Sequence, residues 1–526
     1  MENSKKRRKG EDEFLPFEAY ENPENYDAEG NFIDPRDKEP PEPPEDEGGK
    51  PPGDEWPLDR VITYLNENQP ITIRDCVEGI CTLGGIGSGK TSGSGRHFAL
   101  AFLRAGFGGL VLCAKKGEAA AWREYAKLTG REKSIIEFNP ISGEWCFPFL
   151  EYEARRKGEG AGYTENIVRL LMTAQEAIER GNTDGEEAFW KRELAKLLRN
   201  AVDLLLLANR PISIPALAEL VEHAPMSEEQ ALDESWLESS KLYQIIKEGD
   251  QLFDGRSKWE KADFDTAVTY WLEQFPAMPE KQRGSTLSMF TGLIDLFMRR
   301  PFRQLFGEKG GGKRVLVPEL SFSGMIILLN FPVKEFGDSG RAAQVVYKYL
   351  WQQAMERRPP EKKRPVFLWV DEAQNFATEY DQQFQATARS SLVCTHYLSQ
   401  NLPNYYAEIR NKYRVISLIG NLQLKISHAN GDPETNTTVS DTIGKSWQEH
   451  INDSITTSTT GSEGGVNVGE SRHFSFDYDV PPQVFTRLAK GGPGNDFIVQ
   501  AIVFQTGRMW NDGDNFLIAS FNQKSN

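Results

Sequence analysis

Apolar positions along the chain follow two patterns. From Ile71 onward, short apolar runs alternate with stretches of helical spacing. Ile71–Arg74, Gly79–Leu83, Gly109–Cys113 and Ser134–Phe138 read as strands, and Thr91–Arg104 and Ala119–Leu128 as helices. Such alternation predicts a mostly parallel sheet flanked by helices, an α/β fold. Between 163 and 300 the pattern changes. Trp190, Leu194, Leu197, Ala201 and Leu204 recur at steps of three and four within Glu187–Leu207, which is one face of a long helix stopped by Pro211. Ile214–His223, Glu234–Gly249, Phe264–Phe275 and Ser285–Arg299 also read as helices, so this region is an all-α inserted domain.

The alternation returns with strands at Met325–Leu329, Val366–Val370, Leu392–Leu398, Leu422–His428 and Phe497–Phe504. Helices are expected over Ala342–Arg357 and Gln382–Arg389, and Asp432 with Pro433 opens another that ends at Gly444. The Ser, Thr and Gly content of 445–475 reads as a flexible loop. The resulting division is a disordered acidic Pro-rich tail over 1–56, a first motor segment over 57–160, the insertion over 161–305 and a second motor segment over 306–526.

Charge sharpens this picture. The 526 residues carry a net charge of −16. Residues 1–60 hold 19 acidic and 9 basic side chains, and the rest is nearly balanced at 58 and 52. A generally basic nucleic-acid coat is excluded; a contact limited to a few loops is not. No apolar run approaches the roughly 18–20 residues of a membrane span, and no apolar stretch follows the basic residues Lys5–Lys9, so neither an intrinsic span nor a signal peptide is expected. Five cysteines without a CxxC pair and six scattered histidines argue against a disulfide framework or a zinc site, and fit a cytoplasmic protein.

The chemistry concentrates in three places. Gly84, Gly85, Ile86, Gly87, Ser88, Gly89, Lys90 and Thr91 match GxxxxGK[ST] between a strand-like and a helix-like run, with Ser92 next. Glycines let backbone N–H groups curl around phosphate oxygens, and the helix that follows adds its positive end. Lys90 then reaches the outer phosphates of ATP and Thr91 ligates Mg²⁺. The apolar run Val366–Val370 ends in Asp371 and Glu372, a Mg²⁺-supporting carboxylate followed by a general base for water. The run ending Ser399–Gln400 presents Gln400 as a sensor of the terminal phosphate. The alternatives are a flexible Gly-rich turn, a helix cap and a surface turn respectively. The nucleotide reading requires the first two segments to meet on neighbouring strands of one sheet.

These blocks, in this order, resemble the coupling ATPases of type IV secretion and bacterial conjugation within the wider FtsK/HerA-type translocases. Further matching pieces are Lys116-Gly117-Glu118, Phe138-Asn139-Pro140, Phe147-Pro148-Phe149, Phe189-Trp190 and Asp441–Gly444. The resemblance implies a RecA-like P-loop NTPase, a hexameric ring, DNA as substrate, and an arginine supplied in trans. Arg389 stands where that family has its arginine, with Arg410 and Arg414 behind it. It also implies a relaxosome or channel partner, and recruitment to the inner membrane by a partner. The chain departs from the family in lacking spanning helices, and in holding Ala114 where an acidic residue is usual. Lys115-Lys116, Arg155–Lys157 and Lys309/Lys313 are candidate DNA-contacting loops. Two other functions compete: a HerA-like DNA-processing or anti-phage ATPase working with a nuclease, and an ATP-gated adaptor for protein substrates that does not move DNA.

Overall fold

The computed structural model describes residues 56–141, 143–179, 185–307, 313–358, 364–458, 465–510 and 513–524. The expected tail over 1–56 and Lys309 lie outside these residues, apart from Trp56. The strands in chain order are β1 (Val61–Leu65), β2 (Gln69–Thr72), β3 (Ile80–Leu83), β4 (Gly108–Leu112), β5 (Ile135–Phe138), β6 (Trp145–Cys146), β7 (Arg314–Val315), β8 (Ile326–Leu329), β9 (Val366–Val370), β10 (Val393–Ser399), β11 (Leu424–His428), β12 (Lys445–Ser458), β13 (Gly465–Tyr478), β14 (Ile498–Gln505) and β15 (Phe516–Asn522).

Nine of them form one sheet in the order β15-β14-β11-β3-β10-β9-β4-β8-β5. The seven from β11 to β5 are parallel, and β14 and β15 add an antiparallel edge. β3, β4, β8, β9 and β10 are buried along their whole length. That is why they read as unbroken apolar runs: helices cover both faces of a parallel sheet. On one face, Phe98 and Phe102 from helix Arg96–Arg104 and Trp122 from helix Glu118–Leu128 pack with Phe367 and Trp369 of β9. On the other, helix Val333–Glu356 places Tyr347, Leu350 and Trp351 against the sheet.

Among the described residues between β6 and β7 there are helices and no strand. These helices do not stand apart. Leu170, Leu194, Leu197, Leu204 and Trp271 share one buried cluster with Tyr347 and Trp351 of the motor. Thr164–Glu179 lies directly along Val333–Glu356.

Three departures from the sequence reading bear on the fold around the site. Ile71–Arg74 is not one strand: β2 ends at Thr72, whose side chain caps a short helix, Ile73–Val77, in a reciprocal capping box with Asp75. Residues 445–475 do not form an irregular loop. Most of them belong to β12 and β13, an antiparallel ribbon paired continuously from Lys445–Tyr478 to Ser458–Gly465. Phe474, Phe476 and Tyr478 do alternate, but among the described residues the ribbon pairs only with itself and leaves Phe474 and Phe476 exposed, and the Ser, Thr and Gly around them outweigh the signal. Finally, the requirement of neighbouring strands is not met as stated: β10 lies between β3 and β9, so the Gly84–Thr91 and Asp371–Glu372 segments leave next-nearest strands of one sheet and meet through side chains across the end of β10.

Candidate active site

All three chemical segments leave the carboxyl ends of β3, β9 and β10, the edge of a parallel sheet where ligands bind. The loop from Gly84 is anchored at its start: Gly84 N–H donates to Ser399 O at 3.2 Å and Gly85 N–H to Ala429 O at 2.9 Å. Gly87 and Gly89 have φ of +69° and +82°, a region glycine enters at little cost. No atom lies within 4 Å of where a Cβ on Gly87 would project, so the cradle is open on that side. Ser88 Oγ is buried in the loop with no hydrogen-bond partner. An open glycine cradle with an orphaned hydroxyl fits a bound phosphate chain.

The helix after the loop begins irregularly, as a π turn over Thr91–Gly95. A Cβ on Gly93 would sit 3.0 Å from Val499 Cβ, and one on Gly95 2.9 Å from Lys90 O. These two glycines, unusual in a first helical turn, allow close packing against β14 and against the loop itself.

Across the end of β10, Thr91 Oγ1 donates to Asp371 Oδ2 at 3.0 Å. This contact joins the two segments despite the intervening strand, and it assembles a hydroxyl and a carboxylate suited to Mg²⁺. Lys90 is almost fully buried beside them. Glu372 is buried, and its backbone is left-handed at φ +51°, a strained conformation for a side-chain-bearing residue. Its carboxylate receives Lys115 Nζ at 2.5 Å and Gln400 Nε2 at 3.2 Å on Oε1, and Gln374 Nε2 at 2.9 Å and Gln400 Nε2 at 3.2 Å on Oε2. Burial pushes this carboxyl up, but the hydrogen bonds from Lys115 and Gln374 and the charges of Lys115 and Lys90 outweigh it. The group is held down at about 2.

The structure therefore brings together Lys90, Thr91, Asp371, Glu372 and Gln400. Gln400 joins the site through its contacts with both Glu372 oxygens. Ser92 lies at its margin, where its Oγ accepts from Gln523 Nε2 at 2.6 Å. Ile86 is exposed at the loop tip. Arg389 is not in this cluster. It precedes β10 at the opposite end of the strand, largely exposed, with Nη1 3.7 Å from Glu78 Oε1.

Three residues around Glu372 and Asp371 were not placed there by the sequence: Gln374, Lys115 and Glu118. Lys115, read from the sequence as a DNA contact, instead faces Glu372 and lies 3.8 Å from Asp371 Oδ2. Glu118 turns its carboxylate back into the site, where Oε2 accepts from Ala114 N–H at 2.7 Å and Oε1 is buried without a partner. Burial, aided by the charge of Asp371, pushes the Glu118 carboxyl up to about 8. A raised acid favours folding fully only below its unfolded value, and that stability is lost as pH rises toward 8. In metal-free protein, Glu118→Gln is expected to stabilise by about 2–4 kcal/mol at pH 8 and by little at pH 5. Thermal unfolding at the two pH values checks this.

Other basic candidates are also engaged. Arg156 is buried and forked onto Glu153, with Nε and Nη2 at 2.9 and 2.8 Å, and Arg155 pairs with Glu151. Lys313 Nζ donates to Gln304 O at 3.2 Å. Lys116 is exposed.

Fold and site together define a RecA-like P-loop NTPase. Residues 365–479 match the domain family described as the TraM recognition site of TraD and TraG. No curated protein sequence matches the chain. Among solved structures, the bacterial conjugative coupling protein TrwBdeltaN70 shares the fold. Its unbound monoclinic form is 16% identical over 89% of each chain, with a TM-score of 0.50. Its trigonal form with sulphate is 15% identical, covers 89% of this chain and 90% of that one, and has a TM-score of 0.52. TrwB in complex with ADP and Mg²⁺ matches with the same identity and coverage and a TM-score of 0.50. Among the described residues no helix is long and apolar enough to cross a membrane.

Proposed function

We propose that this chain is an ATP-hydrolysing coupling protein that moves DNA, or docks it to a transfer channel, in conjugative type IV secretion. The observation that carries the reading is the Thr91–Asp371 contact beside Glu372, built on the coupling-protein fold. Lys90 and the amides of Gly84–Ser92 bind the phosphates. Thr91 and Asp371 hold Mg²⁺, which supplies charge neutralisation on the phosphates. Glu372 accepts the proton of the attacking water, and Gln400 orients Glu372 toward it.

Arg389 lies at the end of β10 opposite its own cradle, largely exposed, and we assign it to the site of a neighbouring subunit in a ring hexamer. An arginine finger of this kind contributes about 10³–10⁵ in rate in NTPases that use one. DNA contact falls to few side chains per subunit, because most basic candidates are paired internally. Six copies of one exposed lysine such as Lys116 still concentrate charge on a central pore. Recruitment to the membrane rests on a partner, and the matched domain over 365–479 is the segment we assign to partner recognition.

The test is ATP hydrolysis with and without single- and double-stranded DNA across a salt series. The coupling reading predicts stimulation by DNA that fades as salt rises. Hydrolysis indifferent to DNA at every salt concentration would favour the protein-substrate adaptor instead.

A further inference from the structure

Three side-chain donors hold the Glu372 carboxylate, one of them shared between its two oxygens. Two oxygens offer about four acceptor sites, and Lys115, Gln374 and Gln400 (which reaches both oxygens) supply four contacts. Water gains fuller access to this carboxylate if one donor leaves. The three donors differ in how easily they can. Gln374 is buried and fixed from behind by Ser399 Oγ, which donates to its Oε1 at 2.8 Å. Gln400 is tied through its backbone, where its carbonyl accepts from Asn430 Nδ2 at 3.0 Å. Lys115 sits on the loop after β4, and its side chain is 43% exposed. Its ammonium, on a flexible four-carbon stem, can return to water at small cost.

Lys115 also stands where a divalent cation would be felt. Its Nζ lies 3.8 Å from Asp371 Oδ2, the oxygen that accepts the Thr91 hydroxyl. An ammonium and a metal ion at that spot compete for the same two carboxylates and repel each other.

We propose that Lys115 is a positioning residue that latches Glu372 in the nucleotide-free state, and that it is displaced when a divalent cation and nucleotide enter the site. This inference rests on the nucleotide reading given above. The latch neutralises the Asp371–Glu372 pair at rest and keeps the base occupied until the charge that replaces Lys115 arrives. Its consequence is that metal entry and release of the base are one event.

The experiment measures Mn²⁺ binding to the nucleotide-free full chain by electron paramagnetic resonance, in wild type, Lys115→Met, Lys115→Gln and Lys115→Arg. Removing a competing positive charge is expected to tighten Mn²⁺ binding about tenfold or more in the Met and Gln variants. Lys115→Arg, which keeps the charge, stays near wild type. In steady-state hydrolysis, kcat/KM for ATP rises in the Met variant through a lower KM. Unchanged or weaker Mn²⁺ binding in both neutral variants would overturn the latch, and so would a fall in their kcat/KM. If wild type and variants alike hydrolyse no ATP, the motor reading fails on its own, and the Mn²⁺ comparison still decides the latch.

Discussion

In a Glu372→Gln variant, ATP turnover is expected to fall about 10²–10⁴-fold while nucleotide stays bound. The amide keeps the volume of the carboxylate and can keep the left-handed backbone at φ +51°. It can still meet Lys115 through its oxygen. What it cannot do is accept a proton, so the loss falls on kcat and not on nucleotide affinity. The same environment fixes a pH signature. Because the folded carboxyl is depressed to about 2 from an ordinary 4.5, its contribution to stability is complete above 4.5 and is lost as pH falls through about 2. At neutral pH the wild-type base is fully ionised, and its protonation sets no limit on activity. Phosphate release measured beside equilibrium nucleotide binding checks the prediction.

The second large effect lies behind the site. Lys348 and Asp381 form an ion pair at 2.5 Å, with both side chains about 1% exposed. Asp381 also accepts from Thr378 N–H at 2.6 Å, Gln352 Nε2 at 2.8 Å and Tyr397 OH at 2.7 Å, and Lys348 donates to Phe376 O at 2.7 Å. The pair therefore ties helix Val333–Glu356, the turn after Glu372 and strand β10 together. Removing one partner leaves an uncompensated buried charge, which costs about 3–5 kcal/mol. Lys348→Met is expected to lower the denaturation midpoint accordingly. Arg414→Met, which removes an exposed pairing with Glu379, should shift it by less than about 1 kcal/mol. Chemical denaturation of both variants separates the two cases.

Much of this architecture was legible in the sequence, and physical reasons mark where it was not. β3, β4, β8, β9 and β10 announce themselves because a strand buried on both faces is mostly apolar, with polar exceptions such as Thr82 and His396, which hydrogen-bond each other. The glycine loop is legible because its geometry demands glycines at fixed spacing. β15 was missed although it alternates: Leu517, Ala519 and Phe521 face inward while Ile518 and Ser520 do not, the signature of a half-covered edge strand. The ribbon β12–β13 alternates too, at Phe474, Phe476 and Tyr478, but within a Ser-, Thr- and Gly-rich stretch that reads as a loop. The roles of Lys115 and Glu118 could not be read at all. They follow from a loop after β4 meeting a turn after β9 more than 250 residues later, and local pattern says nothing about which side chains cross that gap.

The central claim is that one magnesium nucleotide is held between the loop at Gly84–Thr91 and the acidic turn at Asp371. Calorimetric titration of the full chain with non-hydrolysable ATP and Mg²⁺, in wild type and in Lys90→Ala, tests it most directly. The account predicts one site per chain in wild type, weaker binding when Mg²⁺ is withheld, and loss of binding in Lys90→Ala. Equal affinity in the two proteins, or no binding in wild type, would contradict it.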